Sequence, residues 1–342
     1  MNDVFKNNII QNGKSYVQMD YNDMLLGDIV GTNYVFKYFK QQFPDTKFYI
    51  VETEKMMVPI DILKSIKLTL NGIDGIMTKE EFESLNIKCD NLFGFPIWLF
   101  SSIIHQVSNV ENTIDIRKDS YLNEAIKFKN KYKNKIVSIS PITDAGDRNP
   151  MRNWTPDVIK GHIDMFLNKG YVVMGLRYKN NENLKAIYDE YKNKKNFIEI
   201  SREIIDSIRA ISTSTWFVGG DTGLTHFVSN MGKYGPENII ALYFKYSKMS
   251  YWEMDGWQIN NYRVNYFNDK YSHLLHKYAN SSAPKITNDQ ILYLIMETHD
   301  MKSIISIYKD AKSKGYKMPD ANVTKKELTD IKNFINSWYF YK

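Results

Sequence analysis

The chain has 342 residues, of which 43% are hydrophobic and 25% charged, and its net charge is +6. This composition is that of a globular protein long enough for two domains with a cleft between them. The net charge is too small to indicate a nucleic-acid-binding protein by itself, and the one cysteine, Cys89, excludes an intrachain disulfide framework or a cysteine-based zinc site. No apolar stretch reaches the roughly 18 residues that a membrane span requires, so we expect a cytoplasmic protein without a transmembrane segment.

The first third of the chain reads as strands alternating with helices. A helical period begins near Asp28 and ends at Pro44. The apolar residues 92–107 predict a buried helix interrupted near Pro96. The other predicted elements are strands at 15–19 and 47–52, and a weaker strand and helix within 74–87.

A second alternating series follows the lysine-rich segment 127–135, so we expect a domain boundary near residue 130. Thr155 and Pro156 mark the start of a helix, at the N-cap and the first helical position. Strands separated by helices predict a parallel, doubly wound sheet, because parallel neighbours require crossover connections. The predicted strands are 135–141, 171–176, 197–201, 215–220 and 238–244, and from Asp289 onward the pattern predicts helices.

Lysines recur in 127–135 and again in 302–317. Such runs are typical of solvated helix faces. They are also compatible with an anionic partner, and a phosphorylated glycan, a membrane surface or DNA would each qualify.

The segment "GGDTGLTH", residues 219–226, joins an apolar strand to a helix. Its glycines allow close backbone approach, and the start of the helix offers N–H groups to an anion, so phosphate or pyrophosphate is the expected ligand. The alternative is that Asp221 only caps the helix and the glycines only form a turn. His226 is likewise either catalytic or a structural hydrogen-bonding residue.

Residues 198–244 resemble the ADP-heptose:lipopolysaccharide heptosyltransferase family, which are glycosyltransferases of the GT-B fold. Two further segments match the family in the correct order. Gly27-Asp28 matches its first strand-to-helix loop, and Arg152, shortly before Trp154, stands where the family has a basic residue ahead of a Trp-Pro helix start. The residues that match position by position in the glycine-rich loop are Asp221, Thr222, Gly223, Leu224 and His226.

The resemblance implies an α/β protein of GT-B fold, with two Rossmann-like doubly wound parallel-sheet domains facing a cleft. Residues 1–130 would form the acceptor domain and residues 131–285 the nucleotide-sugar donor domain. Residues 286–342 would add C-terminal helices that pack on or between the domains. Residues 245–270 depart from the family pattern, so the resemblance leaves the donor sugar and the function of this insertion open.

The resemblance also implies roles for single residues. Asp28, beside Gly27 in the acceptor loop, would be the base that takes the proton of the acceptor hydroxyl, although a helix N-cap is an alternative interpretation. Arg152 would neutralise the leaving diphosphate in place of the family's lysine. The residues expected to bind the donor nucleotide and its phosphates are Arg152, Thr143, Gly175, Asp221, Thr222, Gly223, Leu224, Thr225 and His226.

The expected activity is transfer of a sugar from a nucleotide-diphosphate sugar to an acceptor hydroxyl. By family resemblance it would be inverting and independent of metal, and it would use no cofactor beyond the nucleotide-sugar co-substrate. A lipopolysaccharide-like bacterial surface glycan is the expected acceptor, which would place the enzyme in the cytoplasm or at the inner face of the membrane. Two alternatives stay open: a phage enzyme that glycosylates a hydroxylated base in duplex DNA in the host cytoplasm, and a non-catalytic nucleotide-sugar-binding protein.

Overall fold

The structure is a computed structural model of the whole chain, and the part of it described below comprises nineteen ranges. These are residues 16–20, 25–31, 40–41, 43–66, 72–87, 90–93, 120–132, 135–142, 153–177, 181–201, 203–220, 222–229, 231, 235–236, 238–244, 262–265, 272–278, 291–296 and 324–337. Within these ranges no helix is both long enough and apolar enough to cross a bilayer.

The first sheet has four parallel strands, β1 Tyr16–Asp20, β2 Lys47–Val51, β3 Gly75–Met77 and β4 Asp90–Phe93. They lie in the order β3-β2-β1-β4. Its centre is buried because the strand residues Phe48 and Ile50 are fully covered. Thr78 begins the third helix with a capping box, in which its side chain accepts from Glu81 N and the Glu81 side chain accepts from Thr78 N. The helices of this part are α1 Leu26–Gly31, α2 Ile60–Ser65 and α3 Lys79–Glu83.

The prediction of one buried helix from residue 92 is wrong at its start, because β4 pairs in parallel with β1 there. Met19 lies opposite Leu92 in this register, and Asp20 lies opposite Phe93. A short apolar run fits a buried strand as well as a buried helix, and only pairing with a neighbour decides between them. Residues 94–107 lie outside the described ranges.

The second sheet has eight strands, which are β5 Ile136–Ser140, β6 Val172–Leu176, β7 Phe197–Ile200, β8 Trp216–Gly219, β9 Asn238–Phe244, β10 Tyr262–Asn265, β11 Ser272–Tyr278 and β12 Ile291–Met296. They lie in the order β10-β11-β12-β9-β8-β5-β6-β7. The five strands expected from sequence, β5 to β9, are present and mutually parallel, as predicted. The helices are α4 Ser120–Lys131, α5 Pro156–Asn168, α6 Glu182–Asp189, α7 Ile204–Thr213, α8 Gly223–Ser229 and, near the C-terminus, α9 Lys325–Ser337.

The core of the second sheet follows from strands that are apolar along their whole length. All residues of β5 and β6 are buried, as expected for parallel strands covered by helices on both faces. Val137 and Ile139 of β5 pack with Ile163 and Phe166 of α5 in one hydrophobic cluster. Burial of each such side chain contributes roughly 1.5–3 kcal/mol, so the cluster stabilises this half of the protein.

Residues 291–296 form β12, so the helical expectation for this stretch is wrong. β12 pairs in parallel with β9, with Ile291 opposite Ile239, and in antiparallel fashion with β11. The sequence "ILYLIM" is apolar at every position, so it has no period to separate a buried strand from a buried helix. The second sheet therefore continues past the predicted boundary at residue 286, and it has an antiparallel edge that the sequence did not predict.

The C-terminal helix α9 packs against α4, the helix that precedes β5. The rings of Phe128 and Phe334 stack at 4.3 Å, and Lys135 Nζ lies 2.7 Å from Glu327 Oε1. Burial acts to raise the pKa of Glu327, but hydrogen bonds from Lys135 and Thr324 outweigh it and hold the pKa at about 2. The Glu327 carboxyl is therefore ionised at neutral pH where α9 packs against α4.

His162 is the buried titratable group of the α5 core. Its ring lies 4.7 Å from that of Trp154, and its Nδ1 lies 2.7 Å from Val158 O. Because a carbonyl oxygen can only accept, Nδ1 carries the proton of the neutral ring. Burial lowers the pKa of His162 to about 4, against a small opposing effect of the Val158 hydrogen bond.

We expect this histidine to make the protein less stable in mild acid. Between pH 6.5 and 4 the unfolded state binds a proton at His162 and the folded state does not, so the free energy of unfolding falls as the pH is lowered, by up to about 3 kcal/mol. Urea titrations across this range test it. In His162→Gln, which keeps a polar side chain but cannot titrate, this part of the pH dependence should disappear; an unchanged slope would contradict the assignment.

Candidate functional site

The candidate site lies where the strand order of each sheet reverses. In the second sheet the chain runs outward from β5 through β6 to β7 and then returns to β8 on the other side of β5. In the first sheet the reversal lies between β1 and β4, and α1 follows β1. In open α/β sheets ligands bind in the crevice beyond the carboxyl ends of the strands at such points.

The carboxyl ends of β5 and β8 are joined at the start of the glycine-rich loop. Ser140 lies opposite Gly219 in the parallel register, and Gly220 N donates to Ser140 O at 3.0 Å. A Cβ atom on Gly219 would lie 2.6 Å from Thr225 Oγ1 and 2.6 Å from the ring of Phe217. Glycine is therefore required at residue 219 for the loop to lie this close to the helix that follows.

Three buried hydroxyl groups hold the loop. Ser140 Oγ lies 3.4 Å from Thr222 Oγ1, which lies 3.3 Å from Thr225 Oγ1, and Thr225 Oγ1 donates to Gly220 O at 2.6 Å. These three side chains are at most 4% exposed. Since Thr225 gives its only hydroxyl proton to Gly220, the Thr222 hydroxyl can donate to Thr225, and the loop becomes one connected hydrogen-bond network.

Thr222, rather than Asp221, occupies the N-cap position of α8. The helix begins at Gly223, and Thr222 Oγ1 accepts from Thr225 N at 3.3 Å, which is the usual capping contact. Thr222 thus supplies the cap that the sequence offered only as an alternative role for Asp221. Asp221 itself lies outside the described residues.

The start of α1 meets the start of α8. A Cβ atom built on Gly223 would lie 3.3 Å from Leu26 Cβ, 3.5 Å from Leu26 Cδ2 and 3.4 Å from Gly27 N. The Gly27-Asp28 segment of the first sheet thus lies against the Thr222-Gly223 segment of the second. These two pairs were predicted separately from sequence, and the structure brings them together.

The other predicted site residues are placed as follows. Leu224 is buried in α8, at 7% exposure. The backbones of Asp28 and His226 lie in α1 and α8, but their side chains are not among the described parts of the structure. Thr143 and Arg152 lie outside the described ranges, so their predicted roles stay predictions.

Gly175 lies within β6 and not in a loop. Its backbone pairs with β5 and β7, and a Cβ atom there would lie 2.8 Å from the rings of both Phe197 and Tyr188. Packing of these two rings explains the glycine. Two residues further on, Arg177 Nε donates to Glu199 Oε1 at 2.6 Å, which ties the end of β6 to β7.

Ser140 and Leu26 are site residues that the sequence did not predict. Ser140 follows an apolar strand, and its position at the carboxyl end of β5 could have suggested it. Its partner Thr222 is 82 residues away and could be identified only from the pairing of β5 with β8. Within the described ranges, no group of three or more His, Cys, Asp or Glu residues is arranged to hold a metal ion.

Neither a protein-family model nor a curated protein matches the chain. Among solved structures, the chain is similar to the glycosyl transferase family 9 protein from Veillonella parvula, with 13% identity and a TM-score of 0.51 over 94% of this chain and 97% of that one. Two Escherichia coli structures overlap less well. ADP-heptose lps heptosyltransferase II has 9% identity and a TM-score of 0.49 over 68% of this chain and 86% of its own, and heptosyltransferase WaaC with ADP has 12% identity and a TM-score of 0.40 over 68% and 88%.

The similarity to the Veillonella structure shows the fold and extends over nearly the whole of both chains. The GT-B fold expected from the sequence resemblance is thereby confirmed. The two Escherichia coli likenesses have TM-scores below 0.5 and support no argument by themselves. At these identities the comparisons concern the fold alone.

The hydroxyl network predicts a specific loss of stability in Thr222→Val. This change keeps the shape of the side chain but removes the N-cap acceptor and the link to Ser140, so we expect a loss of about 1–2 kcal/mol of unfolding free energy, measured by urea denaturation. Thr329→Val is the matched control. The Thr329 hydroxyl donates to Lys325 O on the exposed side of α9, and its loss should change stability by less than about 0.5 kcal/mol. Equal losses in the two variants would contradict the network.

Proposed function

We propose that the protein is a glycosyltransferase that moves a sugar from a nucleotide-diphosphate sugar to an acceptor hydroxyl. The observation that carries the proposal is the contact between α1 and α8, which puts the Asp28 segment of one sheet against the glycine-rich loop of the other. Both segments stand at topological switch points, and the GT-B fold supports the assignment. The name of the Veillonella structure, a glycosyl transferase, agrees with it.

The donor would lie on the second sheet, beyond the carboxyl ends of β5 and β8. Its diphosphate would face the loop that Thr222 and Ser140 hold in place, and Arg152 would neutralise the charge that develops on the leaving group. A preformed hydrogen-bonded loop suits this task because it does not need to reorganise during the reaction. This arrangement stabilises a departing diphosphate with protein groups, so we propose a metal-independent reaction.

The acceptor would approach from the first sheet. The Asp28 carboxylate would take the proton of the acceptor hydroxyl while the oxygen attacks the anomeric carbon and the nucleoside diphosphate leaves. A single displacement of this kind inverts the anomeric centre. General-base assistance is typically worth about 10²–10⁴-fold in rate.

The charge distribution favours a glycan acceptor over DNA. Residues 1–130 contain 14 Lys and Arg against 17 Asp and Glu, a net charge of −3, whereas the rest of the chain has 31 against 22, a net charge of +9. A duplex-binding acceptor domain would need clustered basic groups to neutralise phosphates. We therefore propose a surface glycan of lipopolysaccharide type as the acceptor, and we expect no salt-sensitive binding of duplex DNA.

The donor can be identified by a thermal-shift screen of ADP-, GDP-, UDP-, CMP- and dTDP-sugars. A nucleotide sugar that binds only the folded protein stabilises it by about 2.7 kcal/mol at a hundred times its Kd. One nucleotide class should raise the melting temperature more than the others. If none of the five does so at millimolar concentration, the proposed function is wrong.

Replacing Asp28 separates catalysis from donor binding. In Asp28→Ala we expect sugar transfer to fall by at least about 10²-fold, with the nucleotide Kd unchanged, because the base contacts the acceptor and not the nucleotide. Transfer is measured with the donor found in the screen, and the Kd by calorimetry. Equal losses of transfer and of nucleotide affinity would contradict the role as base. A wild-type protein that binds nucleotide sugar but never turns it over would be the non-catalytic alternative.

A further inference from the structure

The contact between α1 and α8 has a residue without a side chain at its centre. Gly223 is the first residue of α8, and Leu26 is the first residue of α1. A Cβ atom on Gly223 would meet Leu26 Cβ at 3.3 Å and Gly27 N at 3.4 Å. The distance to Gly27 N is an ordinary contact, but the distance to Leu26 Cβ is a few tenths of an ångström shorter than the usual distance of about 3.5–4.0 Å between carbon atoms. A side chain at residue 223 would therefore require Leu26 to move by a few tenths of an ångström.

We propose that Gly223 is a positioning residue that sets the separation between the acceptor and donor sides of the site. This inference rests on the proposed function, and it differs from the role in nucleotide binding that the family resemblance implies for this glycine. Gly223 would act through α1. Without a side chain, Gly223 lets Leu26 and Gly27 approach the donor loop. It thereby sets the distance between Asp28, the proposed base, and the acceptor hydroxyl that attacks the anomeric carbon.

The neighbours of Gly223 cannot give way easily. Thr222, directly before it, is 4% exposed and held by the hydroxyl network, and Leu224, directly after it, is 7% exposed. Ile29 anchors α1 at 1% exposure, and its N–H donates to Leu25 O at 3.0 Å. Because Thr222, Leu224 and Ile29 are buried around this contact, we expect an added methyl group to change the separation of the two helix starts by a few tenths of an ångström.

Small changes in this separation have large effects on rate. Misplacement of reacting groups by about 1 Å can cost on the order of 10²-fold, so a shift of a few tenths of an ångström should cost about threefold to tenfold. The affinity for the nucleotide should change less, because the donor loop is held by its own hydroxyl network and not by the contact with Leu26. A loss in kcat without a loss in binding is therefore the signature of a positioning role.

The first test examines the contact without using activity. Cysteines that replace Leu26 and Gly223 would have Cβ atoms about 3.3 Å apart, close to the 3.5–4.5 Å of a disulfide. In the full chain with Cys89→Ser, the variant Leu26→Cys/Gly223→Cys should lose both free thiols on mild oxidation without forming disulfide-linked dimers. The two single-cysteine variants should keep their thiols. Two thiols that stay free in the folded, oxidised double variant would overturn the proposed contact.

The second test measures transfer and binding in Gly223→Ala. We expect kcat for sugar transfer to fall about threefold to tenfold, and the Kd for the nucleotide to change less than about twofold. Gly161→Ala, a change inside α5 and away from α1, is the matched control and should leave both values unchanged. An unchanged kcat in Gly223→Ala would overturn the positioning role, and so would a loss of nucleotide affinity as large as the loss of kcat.

Failure of this inference can be told apart from failure of the proposed function. The crosslink tests the contact whether or not the protein transfers sugar. A wild-type protein that binds no nucleotide sugar would defeat the proposed function and leave the crosslinking result standing. A wild-type protein that transfers sugar, together with a Gly223→Ala variant that transfers it equally well, would defeat only the positioning role.

Discussion

The start of α8 is held from two sides, and the site depends on this constraint. From below, the hydroxyls of Ser140, Thr222 and Thr225 connect it to the ends of β5 and β8. From the other sheet, Leu26 lies against Gly223. The first contact fixes the loop within its own sheet, and the second fixes it relative to α1, which carries Asp28.

The two contacts require opposite kinds of residue. The network needs buried hydroxyl groups, because each buried polar atom must find a partner when it leaves water. The contact between the starts of α1 and α8 requires a residue without a side chain at 223. The turn before α8 requires one at 219. A short stretch that contains both glycines and threonines, residues 219–225, meets both needs. Such a stretch reads in the sequence as a turn followed by a helix.

The architecture around this point serves to hold it still. The strands β5 and β6 are buried along their whole length, and apolar residues of α5 pack on them. The helix α9 returns from the C-terminus to pack on α4, where Glu327 is held in its charged form beside Lys135. A site that must hold a base beside the acceptor hydroxyl needs rigid supports of this kind, since catalytic geometry tolerates displacements of only about half an ångström.

The sequence by itself determined the parallel second sheet from β5 to β9, the β-α-β start of the chain and the candidate loops, because these have local periodicity and glycines that punctuate it. It misassigned "ILYLIM" and residues 92–93, since a uniformly apolar segment is compatible with a strand or a helix until a neighbour pairs with it. It left open whether Asp221 caps the following helix, and the structure has Thr222 at the N-cap position. Only the tertiary structure decided which distant residues meet, Ser140 with Thr222 and Leu26 with Gly223. Contacts between residues 82 and 197 positions apart leave no local pattern in the chain, because they arise from the order of strands in two sheets.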